Sequence, residues 1–328
     1  MAKLIVILLS FSLMAGLFLG CAKNSSRVAM VLDAGGLENN DFNKGTLLGA
    51  DKAAKELGIK LDYVLPKAST EFESLQKRYA QDGEYMLIIC VGSTQTEALT
   101  SSAASFPQQR FALIDSGLEG KPNVASFLFR DAESSFLAGA LAGMVTHTNR
   151  IGFIGGLDIA VIRSFFGGYQ SGAKYVNPQC QVSVSYVDSW SDPAKAKGLA
   201  FTQYAQGADI VFGAAGGSSL GVIEAAKERG HYAIGADGDQ RYLAPNNVLV
   251  SVLKNVDIAT YSIIQQTFQG HFSSGMHSLG LKENGIGLSL DNSLPIVTAE
   301  MKDKIQEISY KIITGEIEVS SLLPLRSE

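Results

Sequence analysis

The feature that most constrains this chain is its order of short apolar runs and longer amphipathic stretches. Residues 27–33 (RVAMVLD), 60–65, 85–91, 110–114 and 124–129 read as strands, separated by segments with apolar residues at helical spacing. After Arg150 a second series begins, with strands at 151–154, 182–187, 209–212, 232–236 and 248–253 and helices between them. A last strand is expected near 285–290 and a last helix at 298–314. Val- and Ile-rich runs without alternation suit parallel sheets covered on both faces. Two series predict an α/β chain of two Rossmann-like lobes. The 328-residue length agrees, at about 150 residues per domain. Lobe one is expected to span 27–128 plus about 250–290, and lobe two about 129–249 plus 291–328.

In open α/β sheets ligands bind beyond the carboxyl ends of the strands. The residues just past each strand are therefore the informative ones. They are Asp33-Ala-Gly-Gly, Gly92-Ser-Thr, Asp115-Ser-Gly, Gly155-Gly, Gly213-Ala-Ala-Gly-Gly, Asp237-Gly-Asp and Lys254-Asn. The glycine turns lack the P-loop lysine and the dinucleotide fingerprint, which argues against phosphate cradles. No G-x-S-x-G elbow is present, and His147, His231, His271 and His277 show no metal-ligand spacing. No cofactor or metal is expected. Asp33, Asp115 and Asp237 can accept hydrogen bonds from adjacent hydroxyls, and Phe42, Phe165, Phe166 and Phe212 lie beside them in sequence. The plainer reading of each residue singly is a helix cap, a core ring or a surface lysine. Trp190 reads as lying away from this set, and Arg163 is the strongest arginine candidate. A net charge of −5 gives no global attraction to nucleic acid.

Residues 1–20 carry one charge, Lys3, ahead of an apolar run too short to span a membrane, and read as an export signal. The ending Phe18-Leu19-Gly20-Cys21 resembles a bacterial lipobox, which makes Cys21 the expected lipidation site and residues 21–26 a tether to the cell membrane. Cys90 and Cys180 are read as free buried thiols.

The ordered motifs also carry a family resemblance. They run from Asp33-Ala-Gly-Gly-Leu-Glu-Asn-Asn-Asp-Phe-Asn43 through Phe136-Leu-Ala-Gly-Ala-Leu-Ala-Gly143, Phe166-Gly-Gly-Tyr-Gln-Ser-Gly172 and Asp192-Pro-Ala-Lys195. Ile234-Gly-Ala-Asp-Gly-Asp-Gln240 and Ser251-Val-Leu-Lys-Asn255 follow. This string resembles the basic membrane protein family of lipoproteins, substrate-binding subunits of ABC transporters that include PnrA-type purine nucleoside receptors. The likeness covers about residues 27–320. It implies a type I periplasmic-binding-protein fold, two lobes with three crossovers and a ligand cleft between them. It further implies a monomer that catalyses nothing, binds inosine, adenosine or guanosine and delivers it to a permease. Phe42 and Phe212 would sandwich the base. Asp33 and Asp115 would meet its edge, and Asp237 and Lys254 would hold the ribose. Asn43 and the turn at Gly213 would line the cleft. Asn39 stands where the family has an aspartate and Asp41 where it has a serine, so Asn39 keeps an acceptor but not the charge. The alternatives are a sugar or autoinducer receptor of the same fold, a nucleoside-cleaving enzyme, or a surface adhesin or antigen.

Overall fold

The computed structural model describes residues 26–38 and 40–319. The signal at 1–20, the lipidation site Cys21, the tether up to residue 25, Asn39 and the tail from 320 lie outside the described residues.

The first series of strands comprises β1 (Arg27–Val31), β2 (Lys60–Val64), β3 (Leu87–Val91), β4 (Phe111–Ile114) and β5 (Val124–Phe129). The second comprises β6 (Arg150–Gly155), β7 (Gln181–Tyr186), β8 (Ile210–Ala214), β9 (Tyr232–Asp237) and β10 (Val248–Lys254). Two short strands follow, β11 (Gly275–Leu279) and β12 (Ile286–Leu288). They complete two six-stranded sheets, in the orders β11-β5-β4-β3-β1-β2 and β12-β10-β9-β8-β6-β7. Every pairing is parallel except β10 with β12. The central strands β3, β4 and β8 are buried along their whole length, which explains why their sequences do not alternate. The edge strands β2 and β7 are half exposed.

The helices are α1 (Asp41–Leu57), α2 (Phe72–Asp82), α3 (Thr96–Ser105), α4 (Asp131–Val145), α5 (Ala160–Val176), α6 (Pro193–Ala205), α7 (Ser219–Arg229), α8 (Val256–Phe268) and α9 (Ala299–Thr314). Small residues bring α4 and α5 into backbone contact. A Cβ on Gly139 would overlap the carbonyl of Tyr169, and one on Gly172 the carbonyl of Phe136. The small-residue motifs of these two segments are thus a close helix pair in lobe two. In lobe one, Gly49 of α1 lies equally close to the Asp257 backbone of α8.

Strand pairing divides residues 250–290 between the sheets, where the sequence reading gave them all to lobe one. β10 pairs with β9, and β12 with β10, in the second sheet, whereas α8 packs on α1 and β11 pairs with β5 in the first. β11 was not anticipated. It alternates half-buried and exposed residues, includes Gly275, His277 and Ser278, and has no apolar run to mark it.

The chain passes between the lobes three times, after β5, after β10 and after β11. These crossovers are tied together. Arg130 in the first pairs with Glu133 at 2.5 Å and with Glu283 in the third at 2.7 Å. Asn255 in the second donates to the carbonyl of Asn284 in the third at 2.7 Å. Cys90 and Cys180 are both free and buried, one in each lobe. Among the described residues, no helix is long and apolar enough to cross a membrane.

Candidate functional site

The carboxyl ends of the two sheets face each other across a cleft that opens to solvent, with about 580 Å³ of space between its walls. Lobe one contributes Asp33, Asn40, Phe42, the turn Gly92-Ser93-Thr94 and Asp115. Lobe two contributes Val161, Ile162 and Phe165 from α5, then Trp190, Ala214, Gly216, Ala236 and Asp237, with Lys254 at the end of β10.

The loop after β1 is held chiefly by Asn43, which was expected to line the cleft but does not line the cavity. Asn43 is fully buried. It donates to the carbonyls of Asp33 at 3.0 Å and Gly36 at 2.7 Å, and accepts from the Asp33 N–H at 3.2 Å. Asn40 caps α1 by accepting from the Asn43 N–H at 3.1 Å. Thr94 donates to Asp33 Oδ1 at 2.9 Å, and Gly92, at φ 100°, lets the β3 turn approach the same carboxylate. Burial raises the pKa of Asp33, against the Thr94 bond and two backbone bonds that lower it.

Asp115 and Asp237 occupy matching places, at the ends of β4 and β9. Both adopt left-handed backbone, φ 72° and 68°. Non-glycine residues are uncommon there, although Asp and Asn tolerate it best, and such outliers concentrate at functional sites.

Lys254 lies between them. Its Nζ is 2.7 Å from Asp115 Oδ1, a hydrogen bond, and 3.0 Å from Asp131 Oδ1, an ion-pair contact without hydrogen-bond alignment. Asp131 opens α4 and is buried, but does not line the cavity. Burial opposes the charge on Lys254, yet the attraction of Asp115, Asp131 and Asp237 outweighs it, and the ammonium is held above its ordinary pKa. Burial pushes Asp237 up to about 6 and Asp131 up to about 8, with Asp115 adding repulsion to both and Lys254 opposing. Asp115 is raised by burial as well, again against Lys254. The ammonium also lies 4.9 Å from the ring centre of Phe165, 5.4 Å from Phe129 and 5.9 Å from Phe42, all within cation–π range.

The structure therefore brings Asp33, Phe42, Asp115, Asp237 and Lys254 to one cavity, and places the other expected residues differently. Phe212 is fully buried in lobe two, packed among Phe153, Phe165 and Tyr169 with ring centres 5.3–6.2 Å away. It pairs with Phe153 on one side and Ile234 on the other, so it sits inside the sheet and not beyond its end. Phe165 lines the cavity instead. Gly213 packs against Val222 of α7, and Ala214 and Gly216 line the cavity in its place. Trp190, read from sequence as remote, lines the cavity. Arg163 faces solvent and pairs with Asp158 at 2.6 Å. Asp131 was not anticipated, because a first-turn acid on a helix is ordinarily explained by the helix dipole. Among the described residues, no group of three or more His, Cys, Asp or Glu is arranged to hold a metal ion.

Two lobes joined by three crossovers around a cleft form an architecture that solute-binding proteins share. The sequence matches the family of PnrA-like ABC transporter substrate-binding proteins over residues 26–322, and the chain belongs to that family. It is 34% identical over 324 residues to the ABC transporter nucleoside-binding protein BmpA of Lactococcus lactis subsp. cremoris, covering 92% of this chain and 91% of that one. It is 35% identical over 305 residues to basic membrane protein D of Borreliella burgdorferi, covering 90% and 89%. A crystal structure of an ABC transporter solute-binding protein from Aeropyrum pernix K1 superposes with a TM-score of 0.83 at 31% identity, covering 90% and 93%.

Proposed function

We propose that this chain is the nucleoside-binding subunit of an ABC transporter, held to the cell membrane through a lipid on Cys21, and that it captures purine nucleosides and delivers them to a permease. The observation that carries this reading is the pairing of aromatic rings with buried charge in one cleft. Phe42 of lobe one and Phe165 of lobe two flank the Lys254 ammonium at 5.9 and 4.9 Å. Two rings from opposite lobes fit the faces of a planar base. Asp237 and Lys254, at the neighbouring strand ends, fit the ribose hydroxyls as charge-assisted acceptor and donor. Asp33 and Asp115 remain for donors on the base edge. The relative from Lactococcus lactis, described as nucleoside-binding, supports the same reading. Titration calorimetry with inosine and with ribose tests it. Inosine is expected to bind at micromolar affinity or better and ribose far more weakly, since base stacking contributes about 1–3 kcal/mol in single-strand binders. Equal affinities would overturn it.

A sugar receptor is the second reading, because Trp190 does line the cavity and an indole face suits a sugar ring. The same titration separates the two.

A further inference from the structure

We propose that Asp41 and Gln240 form a latch that ties the two lobes directly at one rim of the cleft and slows the release of a bound solute. Inosine serves as the probe, so the ligand arms of the test rest on the nucleoside reading above. Gln240 Nε2 donates to Asp41 Oδ2 at 3.0 Å, although the two residues are 199 positions apart and belong to different lobes. Neither lines the cavity.

The bond joins two positions that are each held by their own lobe. Asp41 is the first residue of α1, directly after Asn40, whose bond to the Asn43 N–H fixes where the helix starts. Gln240 is buried, three residues past Asp237. Its Oε1 accepts from the Ala236 N–H at 3.3 Å, and its own N–H donates to the Ser251 hydroxyl at 3.0 Å. Gly235 leaves room for this arrangement, since a Cβ there would overlap Gln240 Oε1 and Ser251 Oγ. The neighbours of Gln240 are anchored as well. Asp239 accepts from Asn292 Nδ2 at 2.6 Å, and Arg241 donates to the Ser293 carbonyl at 2.7 Å. The backbones also approach, because a Cβ on Gly238 would stand 3.1 Å from the Asp41 Cβ.

A bond within a lobe adds only to the stability of that lobe. A bond between lobes that hinge apart to admit a solute forms only when the rim is shut, so it biases the molecule toward closure. Apparent affinity follows the population of the state that holds the ligand. The latch raises that population whatever contacts the ligand makes, and it acts after capture, so its effect falls on release. Shutting this rim also carries Asp41 toward Asp237, and Asp41 is among the charges that raise the Asp237 pKa. The Gln240 amide supplies the donor that offsets the approach of these two carboxylates.

The test measures affinity by calorimetry, and association and release by surface plasmon resonance, for the native protein, Asp41→Ala and Asp41→Asn. Asp41→Ala is expected to release inosine about tenfold faster with unchanged association, a loss equivalent to about 1.4 kcal/mol. Asp41→Asn keeps an acceptor for Gln240 and should restore most of that loss. 2′,3′-Dideoxyinosine should be weakened on Asp41→Ala by the same factor, because the latch does not touch the ribose. Unchanged release, equal release from the two variants, or a loss confined to inosine would each overturn the latch, the last by showing that Asp41 acts through Asp237. A second measurement needs no ligand. Cysteines at both Asp41 and Gly238 would have Cβ atoms within a small shift of the roughly 3.5–4.5 Å of a disulfide. Asp41→Cys with Gly238→Cys should cross-link under mild oxidation of the ligand-free protein, and failure to do so with and without inosine would overturn the contact. A native protein that does not bind inosine would overturn the nucleoside reading, and the cross-link alone would then decide the latch.

Discussion

The two lobes reach the cleft with different kinds of surface. In lobe one the strand ends carry side chains with oxygen: Asp33 after β1, Ser93 and Thr94 after β3, Asp115 after β4. In lobe two the corresponding ends are mostly glycine and alanine: Gly155-Gly156 after β6, Ala214 and Gly216 at β8, Ala236 before Asp237. These small residues carry no polar side-chain group. They leave space into which α5 and the loop after β7 project Phe165 and Trp190. Lobe one thus offers mainly polar contacts and lobe two mainly shape, with Asp237 and Lys254 the exceptions. Lys254 joins the two, since it pairs with Asp115 of lobe one and with Asp131, the first residue of lobe two's α4. A ligand held by both surfaces draws the lobes together, as in hinge closure.

Removing the link between the lobes should have the largest effect. Lys254→Met keeps the length of the side chain and leaves Asp115 and Asp237 buried without their counter-charge. Breaking a buried pair by removing one partner costs about 3–5 kcal/mol. The expected outcome is that much loss in denaturant-unfolding stability at neutral pH, together with loss of inosine binding. Stability unchanged to within about 1 kcal/mol would show that the carboxylates do not depend on this cation.

The two rings of lobe two provide the next test. Phe212→Ala empties a fully buried position and should cost about 3–5 kcal/mol of stability. Its inosine affinity, measured under conditions where the variant is folded, should change by less than about fivefold, or about 1 kcal/mol. Phe165→Ala should instead lose affinity by at least about tenfold, a difference of about 1.4 kcal/mol. The reverse pattern would return Phe212 to the site.

Asp237 is a polar exception in lobe two, and the expected loss there is about a hundredfold in affinity, about 2.8 kcal/mol, for Asp237→Ala. Because the residue sits at φ 68°, alanine also strains the backbone, so Asp237→Gly is the cleaner deletion. Asp237→Asn tolerates the same φ, keeps one acceptor and should lose less. A 2′,3′-dideoxynucleoside should bind the native protein poorly and lose little more on Asp237→Gly. If the two losses add, Asp237 does not contact the ribose.

The comparison of lobes also shows which parts of the molecule could be read from sequence. Unbroken Val and Ile runs marked the central strands because both faces of those strands are covered. The topology then fixed where their ends point, so Asp33, Asp115, Asp237 and Lys254 could be assigned to one cleft before any coordinates. The signal weakens where a position depends on packing across layers. Phe212 stands two residues before the end of β8, and only the pairing on both its sides shows it to be inside the sheet. Phe165 lies on a helix where apolar spacing marks core and cavity faces alike. Trp190 follows β7 in a loop, and nothing local indicates that Gly156 and Gly216 of separate turns make room for its ring. Asp131 looks like an ordinary first-turn acid until Lys254 arrives beside it from a residue more than a hundred positions away.

Asp131 supplies a test in pH and separates its role from that of the lining carboxylates. Burial, with added repulsion from Asp115 and Asp237, raises its pKa from 3.8 to about 8, against the attraction of Lys254. The folded protein therefore holds a proton on Asp131 that the unfolded chain releases at much lower pH. By linkage, a carboxyl with a raised folded pKa makes the native state lose stability as pH rises from the unfolded value toward the folded one. For Asp131 that window runs from 3.8 to about 8, and for Asp237 from 3.8 to about 6. Lys254 contributes no opposing slope there, since its raised pKa acts only above its ordinary value of 10.5. Asp131→Asn removes one titrating group and keeps the shape of the side chain. Relative to the native protein, the variant should gain thermal stability as pH rises through the upper part of the Asp131 window, above that of Asp237. Scanning calorimetry of the ligand-free proteins at the two ends of that upper range measures it. A difference between variant and native that does not change with pH would show that Asp131 carries the same charge throughout, its proton displaced by the ion pair with Lys254.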